Sequence, residues 1–306
     1  MRAIATLAIL ASLLSGAALG PSPGGNGGTG ARAWKPDLEA ARRYARQQPG
    51  DVSFAVVGLG SPLRGFHRSR TAPAASTIKA MLLAAYLRQP SVRRRQLRAD
   101  ERAVLGPMIR ISDNSAAAQV AATVGDRLER LARAARMRDF EWEWEPGWIG
   151  GQSQISARDQ ARFFLRYPRY VPRRHRRYAR RLLGSVASWQ RWGVADARPR
   201  GWRLYFKGGW GINDDGVGTV NHQVPFLERG RCRIALAILT EHNPSTATGA
   251  ETQRGVAERL LRGIRRAPCG AQAKRELGRR LDLGKERRDA FDLLTAGAGT
   301  ELGQLP

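Results

Sequence analysis

Cysteine, histidine and lysine are all scarce in this sequence. Its 306 residues include two cysteines and four histidines, and only five of its 52 basic residues are lysines, at positions 35, 79, 207, 274 and 285. The cysteines and histidines are not spaced as metal ligands, so we expect neither a metal site nor a bound cofactor. Because lysine is rare, the motifs around Lys79 and Lys207 stand out.

Acidic residues are also few, with 26 Asp and Glu against 52 Lys and Arg, which gives a net charge of +26. This balance favours an anionic partner, such as nucleic acid, an anionic cell-wall polymer or an acidic lipid surface. The excess is mostly arginine spread along the chain, so a solvated basic surface also explains it. No motif of a nucleic-acid-binding module is present, and we expect no nucleic-acid partner. The stretch 167–181 mixes arginines with aromatics, which suits an exposed helix face or, alternatively, base stacking.

Long hydrophobic runs are absent beyond the first residues. One arginine precedes the short apolar run Ala3–Leu14, and small residues follow it up to Gly20. This pattern predicts a secretory signal peptide over residues 1–20. An uncleaved anchor is the alternative, although the run is shorter than the ~20 residues that a transmembrane helix needs. We expect a Gly/Pro-rich linker over 21–33 and a secreted, extracytoplasmic protein of the cell envelope.

The remaining pattern predicts an α/β chain of the α+β kind. We place one folded domain at 34–268, with a helical subdomain at about 88–200, and a poorly ordered polar tail at 269–306. The predicted elements are a helix at 37–48, strands at 52–59 and 63–70, helices from Ser76 to about 137, a helix at 156–165 that starts with a capping box, strands at 202–209, 217–227 and 232–240, and a helix at 250–264.

The two cysteines fit this layout. Cys232 opens the last predicted strand, and the last helix runs back along the sheet. A strand and a helix of these lengths span comparable distances, so Cys269 should return toward Cys232. In an exported protein we therefore predict a Cys232–Cys269 disulfide. Two separate free thiols are the alternative.

The first candidate motif is Ser76-Thr77-Ile78-Lys79, at the head of the apolar run 80–87. The run predicts a buried helix, and positions i and i+3 share a helix face, so the amine can lie beside the hydroxyl. A serine needs a neighbouring base to become a nucleophile, and lysine can be that base when burial lowers its pKa. Taken alone, an N-cap serine followed by a solvated lysine is the simpler explanation.

Two further motifs are weak when each is taken alone. In Ser112-Asp113-Asn114, the hydroxyl suits a proton relay and the amide suits a substrate carbonyl, but the tripeptide is also an ordinary helix cap. In Lys207-Gly208-Gly209-Trp210, on a predicted strand, the lysine supplies positive charge. The glycines let a substrate backbone approach the strand edge.

In this order, Ser-x-x-Lys, Ser-x-Asn and Lys-x-Gly resemble the motifs of class A β-lactamases and penicillin-binding proteins, a superfamily of active-site serine hydrolases. The resemblance covers roughly residues 34–266. It implies an antiparallel sheet of about five strands, flanked by helices, and an all-helical subdomain, with the site in the cleft between them.

The resemblance also implies a role for each motif residue. Ser76 would be the nucleophile, Lys79 the proton acceptor and Ser112 the proton relay. Lys207 would be the electrostatic partner of Ser112 and of a substrate carboxylate. The substrate contacts would come from Asn114, Gly209 and Trp210, with the backbone N–H groups of Ser76 and Trp210 as the oxyanion hole.

Two positions depart from the family pattern. Gly208 occupies the place of a Thr or Ser whose hydroxyl binds a substrate carboxylate. The deacylating glutamate of class A enzymes lies in a Glu-x-x-Leu-Asn loop before the helix that we start at Ser156. Here Glu145, in Glu145-Pro146, is the nearest candidate. Without a base to activate water, an acyl-enzyme would persist.

We therefore expect a monomeric, secreted serine hydrolase that acts on an amide of a β-lactam or a D-alanyl peptide of peptidoglycan through an acyl-enzyme at Ser76. The alternative is a catalytically weak or inactive penicillin-binding-like protein that binds an anionic cell-wall polymer. His222 follows the lysine motif on the next predicted strand and could face the cleft. We interpret it as structural or surface-exposed, because no Gly-x-Ser-x-Gly elbow supports a Ser-His-Asp triad.

Overall fold

Two β-sheets are present in the structure, which is a computed structural model and describes residues 34–147 and 149–267. The strands are β1 (Asp51–Gly58), β2 (Ser61–Phe66), β3 (Thr71–Pro73), β4 (Gln154–Ser156), β5 (Arg203–Ile212), β6 (Thr219–Arg229) and β7 (Cys232–Asn243). Five of them form an antiparallel sheet in the order β2-β1-β7-β6-β5, while β3 pairs with β4. The predicted five-stranded antiparallel sheet is confirmed.

Helices cover the large sheet. They are α1 (Leu38–Arg46), α2 (Ile78–Leu87), α3 (Ala99–Arg110), α4 (Asn114–Val124), α5 (Arg127–Ala134), α6 (Ala157–Tyr170), α7 (Arg176–Gly184) and α8 (Thr246–Leu261). Buried residues of α1 and α8 share one apolar cluster, and those of α2 to α7 share the other. None of the helices in the described ranges is long and apolar enough to cross a membrane.

The central strand β7 separates these two clusters. Successive side chains of a strand point to opposite faces. Accordingly, alternate residues of β7 join the cluster of α1 and α8 (Ile234, Leu236, Ile238) or the cluster of α2 to α7 (Ala235, Ala237, Leu239). Because helices cover both faces of β7, its sequence is a nearly continuous apolar run, and this run made the strand predictable from sequence.

The β1–β2 hairpin has the backbone of a tight two-residue turn. Gly58 pairs with Ser61, and the two residues between them have positive φ angles, 54° for Leu59 and 76° for Gly60. Positive φ at both central positions is the signature of a type I′ turn, whose twist suits a hairpin. The prediction of two hairpin strands before Ser76 is correct, although β2 ends at Phe66 rather than Arg70.

Three other predicted features differ from the structure. β5 extends to Ile212, beyond Gly209, because its whole length pairs with β6. α6 continues to Tyr170 instead of ending at Leu165, since its later residues Tyr167 and Pro168 are buried. The predicted capping box is only half present, because the Ser156 hydroxyl accepts from the Asp159 N–H while the Asp159 carboxylate accepts from the N–H groups of residues 138 and 139.

Several sequence predictions fall on residues outside the described ranges. These are the signal peptide, the linker, the polar tail and Cys269 of the predicted disulfide. Cys232 is buried at the start of β7.

Candidate active site

Ser76 lies in a 3₁₀ turn, Ala75–Thr77, that joins β3 to α2. The backbone before it is held by two bonds to the loop that leads into β4, from Ala74 N to Ser153 O at 2.8 Å and from Ala75 N to Gly151 O at 2.7 Å. Ala75 has a φ of 45°, which is uncommon for a residue other than glycine and marks a tightly constrained turn. Within the described residues the Ser76 hydroxyl has no hydrogen-bond partner, so the predicted bond between it and the Lys79 amine is not formed, because that amine is bonded to Ser112 and Asn114.

Lys79 lies in the first turn of α2 and is fully buried. Its Nζ donates to the carbonyl oxygen of Ser112 at 2.6 Å and to Oδ1 of Asn114 at 2.7 Å, and it lies 3.1 Å from the Ser112 hydroxyl. Burial lowers the pKa of Lys79 to about 8, although the nearby Asp113 carboxylate opposes this shift. The amine therefore becomes neutral close to physiological pH.

Ser112 faces both lysines because of its backbone conformation. It has a φ of 61°, in the left-handed region, and it directly precedes the N-cap residue of α4. That cap is Asp113, whose carboxylate accepts from the N–H of Ala116 at 2.7 Å. Both interpretations of Ser112-Asp113-Asn114 therefore apply. Asp113 caps α4, while Ser112 and Asn114 contact Lys79.

Lys207 approaches the same hydroxyl from β5, which is an edge strand. Its buried Nζ donates to Ser112 Oγ at 3.0 Å and to Gly208 O at 2.7 Å, and it lies 5.6 Å from the ring centre of Trp210. Burial, followed by the charge of Lys79, lowers the pKa of Lys207 well below its ordinary value. The Ser112 hydroxyl can accept from a protonated amine and donate to a neutral one, so it can pass a proton between the two lysines.

Gly209 lets the edge of β5 contact the turn that carries Ser76. A Cβ atom at Gly209 would lie 2.8 Å from the Ser76 nitrogen and 3.0 Å from the Thr77 nitrogen, which no side chain tolerates without a shift. A Cβ at Gly208 would make only ordinary contacts, the nearest at 3.6 Å from His222 O. The two glycines of the motif therefore differ, and only Gly209 is required for close packing.

An open cavity of about 580 Å³ lies beside Asn114. Its other lining residues are Ser115, Ala118, Gly147 and Ile149. The first two belong to α4, while Gly147 and Ile149 belong to the loop in which we sought the deacylating base. Glu145 itself is exposed and does not line this cavity.

The sequence analysis missed a tryptophan cluster beside the lysine motif. Trp210 packs edge-to-face with Trp189 and Trp192, with ring centres 5.8 Å and 6.0 Å apart. Trp189 is 60% exposed. The only sequence signal was the short spacing of Trp189 and Trp192 in a segment without regular helix or strand periodicity.

His222 is a structural residue that supports the turn before Ser76. Its fully buried ring donates from Nε2 to Pro73 O at 2.9 Å, and its Nδ1 accepts from the Thr240 N–H at 3.2 Å. Burial lowers the pKa of His222 to about 4, so the ring stays neutral at physiological pH. The structural interpretation of this histidine is confirmed, and it links β6 and β7 to the end of β3.

A comparison with protein families found a match to a model described as a beta-lactamase enzyme family, over residues 93–264. This range is more than half of the chain. It includes the motifs of Ser112 and Lys207, while Ser76 and Lys79 precede it. A comparison with curated proteins found no match.

Comparison with solved structures found similar folds. The beta-lactamase from Sphaerobacter thermophilus is 19% identical with a TM-score of 0.62, and the alignment covers 76% of this chain and 99% of that one. The class A beta-lactamase from Mycobacterium abscessus is 17% identical with a TM-score of 0.62, covering 74% and 99%. PBP-A is 17% identical with a TM-score of 0.61, covering 76% and 98%. These similarities confirm the fold class that the three motifs implied.

Proposed function

Because this chain belongs to the beta-lactamase enzyme family, we propose that it is a serine acyl-transfer hydrolase that forms an acyl-enzyme at Ser76. Its substrate is the amide of a β-lactam or of a D-alanyl peptide. One observation carries this proposal. The buried Nζ atoms of Lys79 and Lys207 lie 3.1 Å and 3.0 Å from a single hydroxyl, that of Ser112. A solvated lysine or a simple helix cap would not require this arrangement.

In the proposed acylation, Ser76 Oγ attacks the amide carbonyl carbon and its proton passes to the neutral amine of Lys79. The carbonyl oxygen becomes an oxyanion, which the N–H groups of Ser76 and Trp210 stabilise. The Ser112 hydroxyl then gives a proton to the leaving nitrogen as the C–N bond breaks, and it regains one from a lysine. The proton that left Ser76 thus ends on the leaving nitrogen, and the products are an ester on Ser76 and a neutral amine, so atoms and charges balance.

Lys207 and Asn114 would bind the substrate on either side of Ser112. A substrate carboxylate beside Lys207 would stabilise the protonated form of that lysine. Because the two nearby amines repel each other when both are charged, Lys79 would then be neutral, and a base must be neutral to accept a proton. The Asn114 Oδ1 accepts from Lys79, which leaves its NH₂ group to donate to a substrate carbonyl at the cavity that Asn114 lines.

Deacylation by this enzyme would be slow. Hydrolysis of the ester requires a base that activates water, and the only candidate from the sequence, Glu145, is exposed and outside the lining of the cavity. A persistent acyl-enzyme suits a penicillin-binding peptidase better than a rapid β-lactamase. We also propose that the protein acts outside the cytoplasmic membrane, as the N-terminal sequence and the substrate class suggest.

Intact-mass spectrometry with penicillin G tests the proposal. We expect a mass gain equal to one penicillin on the native protein and none on Ser76→Ala. The matched control is Ser188→Ala, which removes an exposed hydroxyl and should acylate normally. The lifetime of the penicillin adduct is followed by the same method over time, and turnover of a chromogenic cephalosporin reports how fast an acyl-enzyme is hydrolysed. If no adduct forms and the drug stays intact, the hydrolase proposal is wrong for β-lactams, and the catalytically weak wall-binding alternative gains support.

A further inference from the structure

Five arginines line a second cavity, which contains no residue of the three motifs of the candidate active site. The cavity has a volume of about 370 Å³, and its arginines are Arg88, Arg93, Arg94, Arg169 and Arg176. One wall follows the end of α2 and the other joins the end of α6 to the start of α7. Two segments far apart in sequence thus bring five positive charges together.

No carboxylate of the described chain neutralises these charges. None of the five arginines forms an ion pair within the described residues, whereas the adjacent Arg95 pairs with Glu101 at 2.6 Å. The sequence explains the difference, since it has no Asp or Glu between residues 52 and 99 or between 160 and 195. Guanidinium groups stay protonated in proteins, so five of them around one concave surface attract anions.

The two walls are fixed to each other by a buried histidine. His175 Nε2 donates to Val92 O at 3.0 Å, which joins the segment of Arg93 to the segment of Arg176. Arg176 is itself oriented, because its Nε donates to Val171 O at 3.1 Å. The turn of the other wall is closed by a bond from Arg93 N to Gln89 O at 2.8 Å. The backbone of both walls is therefore set by the fold before any ligand binds, and so is the side chain of Arg176.

The charges continue beyond the cavity. Arg173, Arg174, Arg177 and Arg181 are exposed on the adjoining turn and on α7, so a linear ligand would meet further positive charge after leaving the cavity. The large hydrophobic side chains that are exposed in the described ranges are Ile111, Trp189, Ile212 and Val217, and none lines this cavity. The cavity lining therefore has no exposed aromatic side chain on which a base could stack and no exposed apolar side chain that could anchor a lipid. It does have several planar guanidinium groups, which suit phosphate binding.

We propose that this arginine cavity binds a phosphate group of a linear, base-free phosphate polymer, and that the exposed arginines of α7 bind the phosphates that follow. This site goes beyond the proposed hydrolase function and does not involve Ser76. Its binding should be unchanged in Ser76→Ala, so the failure of one proposal leaves the other intact.

Binding of fluorescently labelled inorganic polyphosphate, followed by anisotropy at near-physiological ionic strength, tests the proposal. We expect Arg93→Gln combined with Arg169→Gln, one change on each wall, to weaken binding by roughly tenfold or more. The matched control is Arg200→Gln with Arg231→Gln, which removes two exposed, unpaired charges elsewhere in the described chain and should change affinity by less than about threefold. Equal losses in both double variants would mean diffuse attraction to the net charge and would overturn the proposal.

A second pair of variants tests the geometry. Arg93→Lys with Arg169→Lys keeps both charges but loses the planar fork, so we expect a loss of affinity close to that of the Gln variant. Wild-type affinity in the Lys variant would contradict a shaped phosphate site. Circular dichroism melts of each variant show that it is folded before its affinity is compared.

Competition experiments separate the possible sources of phosphate. We expect unlabelled polyphosphate to displace the probe, and orthophosphate to do so only at much higher phosphate concentration. Vesicles of phosphatidylglycerol with phosphatidylcholine, or single-stranded DNA of equal phosphate number, should compete less well than polyphosphate. If either competes better, and the double Gln variant removes its binding, the ligand is a membrane surface or a nucleic acid and the proposed polymer class is wrong.

Discussion

The buried amine of Lys79 ties the chemistry of the site to pH. A lysine accepts a proton from Ser76 only when it is neutral, and burial lowers the pKa of Lys79 to about 8. Below that pH the amine is protonated, so the rate of acylation should rise as pH increases through about 8 and then level off. The measurement is the second-order rate of acylation by penicillin between pH 6 and 10, roughly the range in which both limits are visible.

The matching variant is Lys79→Met, which keeps the length of the side chain without an amine. We expect acylation to fall by roughly 10²–10⁴-fold and to lose its inflection near pH 8. A rate in the native protein that stays level across this range would show that Lys79 is not the base.

Gly208 offers a test of substrate recognition at a single atom. A Cβ there makes only ordinary contacts, the nearest at 3.6 Å, and β-branched residues suit strands better than glycine by up to about 1 kcal/mol. Gly208→Thr should therefore fold without loss of stability and supply the hydroxyl that the family uses for a substrate carboxylate. We expect faster acylation by penicillin, measured as above.

The control for this change is Gly208→Val, which has the same shape as threonine and no hydroxyl. It should share the stability of Gly208→Thr and acylate no faster than the native protein. Equal rates in the two variants would mean that the hydroxyl does not reach the substrate.

At the residue scale, the sequence was informative through the order of its three motifs. The family resemblance implied that Lys207 would be the partner of Ser112, and Lys207 Nζ does donate to the Ser112 hydroxyl. The Ser-x-x-Lys spacing predicted that Lys79 would lie beside the Ser76 hydroxyl, whereas the hydrogen bonds of Lys79 within the described residues go to Ser112 and Asn114. The contacts of Lys79 with Ser112 rather than with the Ser76 hydroxyl could not be read in this way, because they depend on the left-handed backbone of Ser112. The packing of Trp189 against Trp210 could not be predicted either, because it depends on the path of a segment without regular secondary structure.

At the element scale, the site depends on the contact between the edge of β5 and the turn Ala75–Thr77. Gly209→Ala would place a methyl group 2.8 Å from the Ser76 nitrogen, so the strand and the turn must separate. We expect a loss of about 1–3 kcal/mol in the free energy of unfolding. Acylation should fall at least about tenfold, because the change would separate the Ser76 and Trp210 amides of the proposed oxyanion hole.

The same strand provides the control for this prediction. A Cβ at Gly211 would meet only Val220 Cγ2, at 4.0 Å, so Gly211→Ala should leave both stability and acylation near the native values. Urea unfolding and the penicillin adduct rate report the two properties separately. A Gly209→Ala protein that acylates like Gly211→Ala would show that this packing is not what aligns the site.

Elements with strong periodicity could be predicted, and short ones could not. The apolar run of α2 is buried along nearly all of its length, as its composition indicated. The pairing of β3 with β4 was missed because each has only three residues and β3 ends in proline. Yet this small sheet joins the segment just before Ser76 to the loop that leads into β4, so it matters to the site more than its length suggests.

At the scale of the whole molecule, the two ends of the described chain meet. β1 pairs with β7 along its full length, and Trp34 Nε1 donates to Arg262 O at 3.1 Å. Contacts between residues so distant in sequence leave no local pattern, so the strand order could only be inferred from the family resemblance. The complete five-stranded sheet that presents Lys207 therefore contains strands from both ends of the described chain.

The charge of the whole molecule should make its stability depend on salt. Acidic residues often serve two basic partners, as Glu228 does with Arg180 and Arg233. The chain has 52 Lys and Arg but 26 Asp and Glu, so basic residues outnumber their possible acidic partners two to one and repel one another. At physiological ionic strength, salt screens repulsion between charges that are more than about 8–10 Å apart. Salt also weakens exposed ion pairs, but each of these contributes only about 0–1 kcal/mol to stability.

We therefore expect the free energy of unfolding to rise, by about 1–2 kcal/mol, when sodium chloride increases from a low to a moderately high concentration. Urea is the suitable denaturant, because guanidinium chloride would itself screen the charges. Arg93→Gln with Arg169→Gln removes two of the crowded charges, so this variant should be more stable than the native protein at low salt and less sensitive to added salt. A native protein that loses stability as salt increases would show instead that its ion pairs outweigh the repulsion among its arginines.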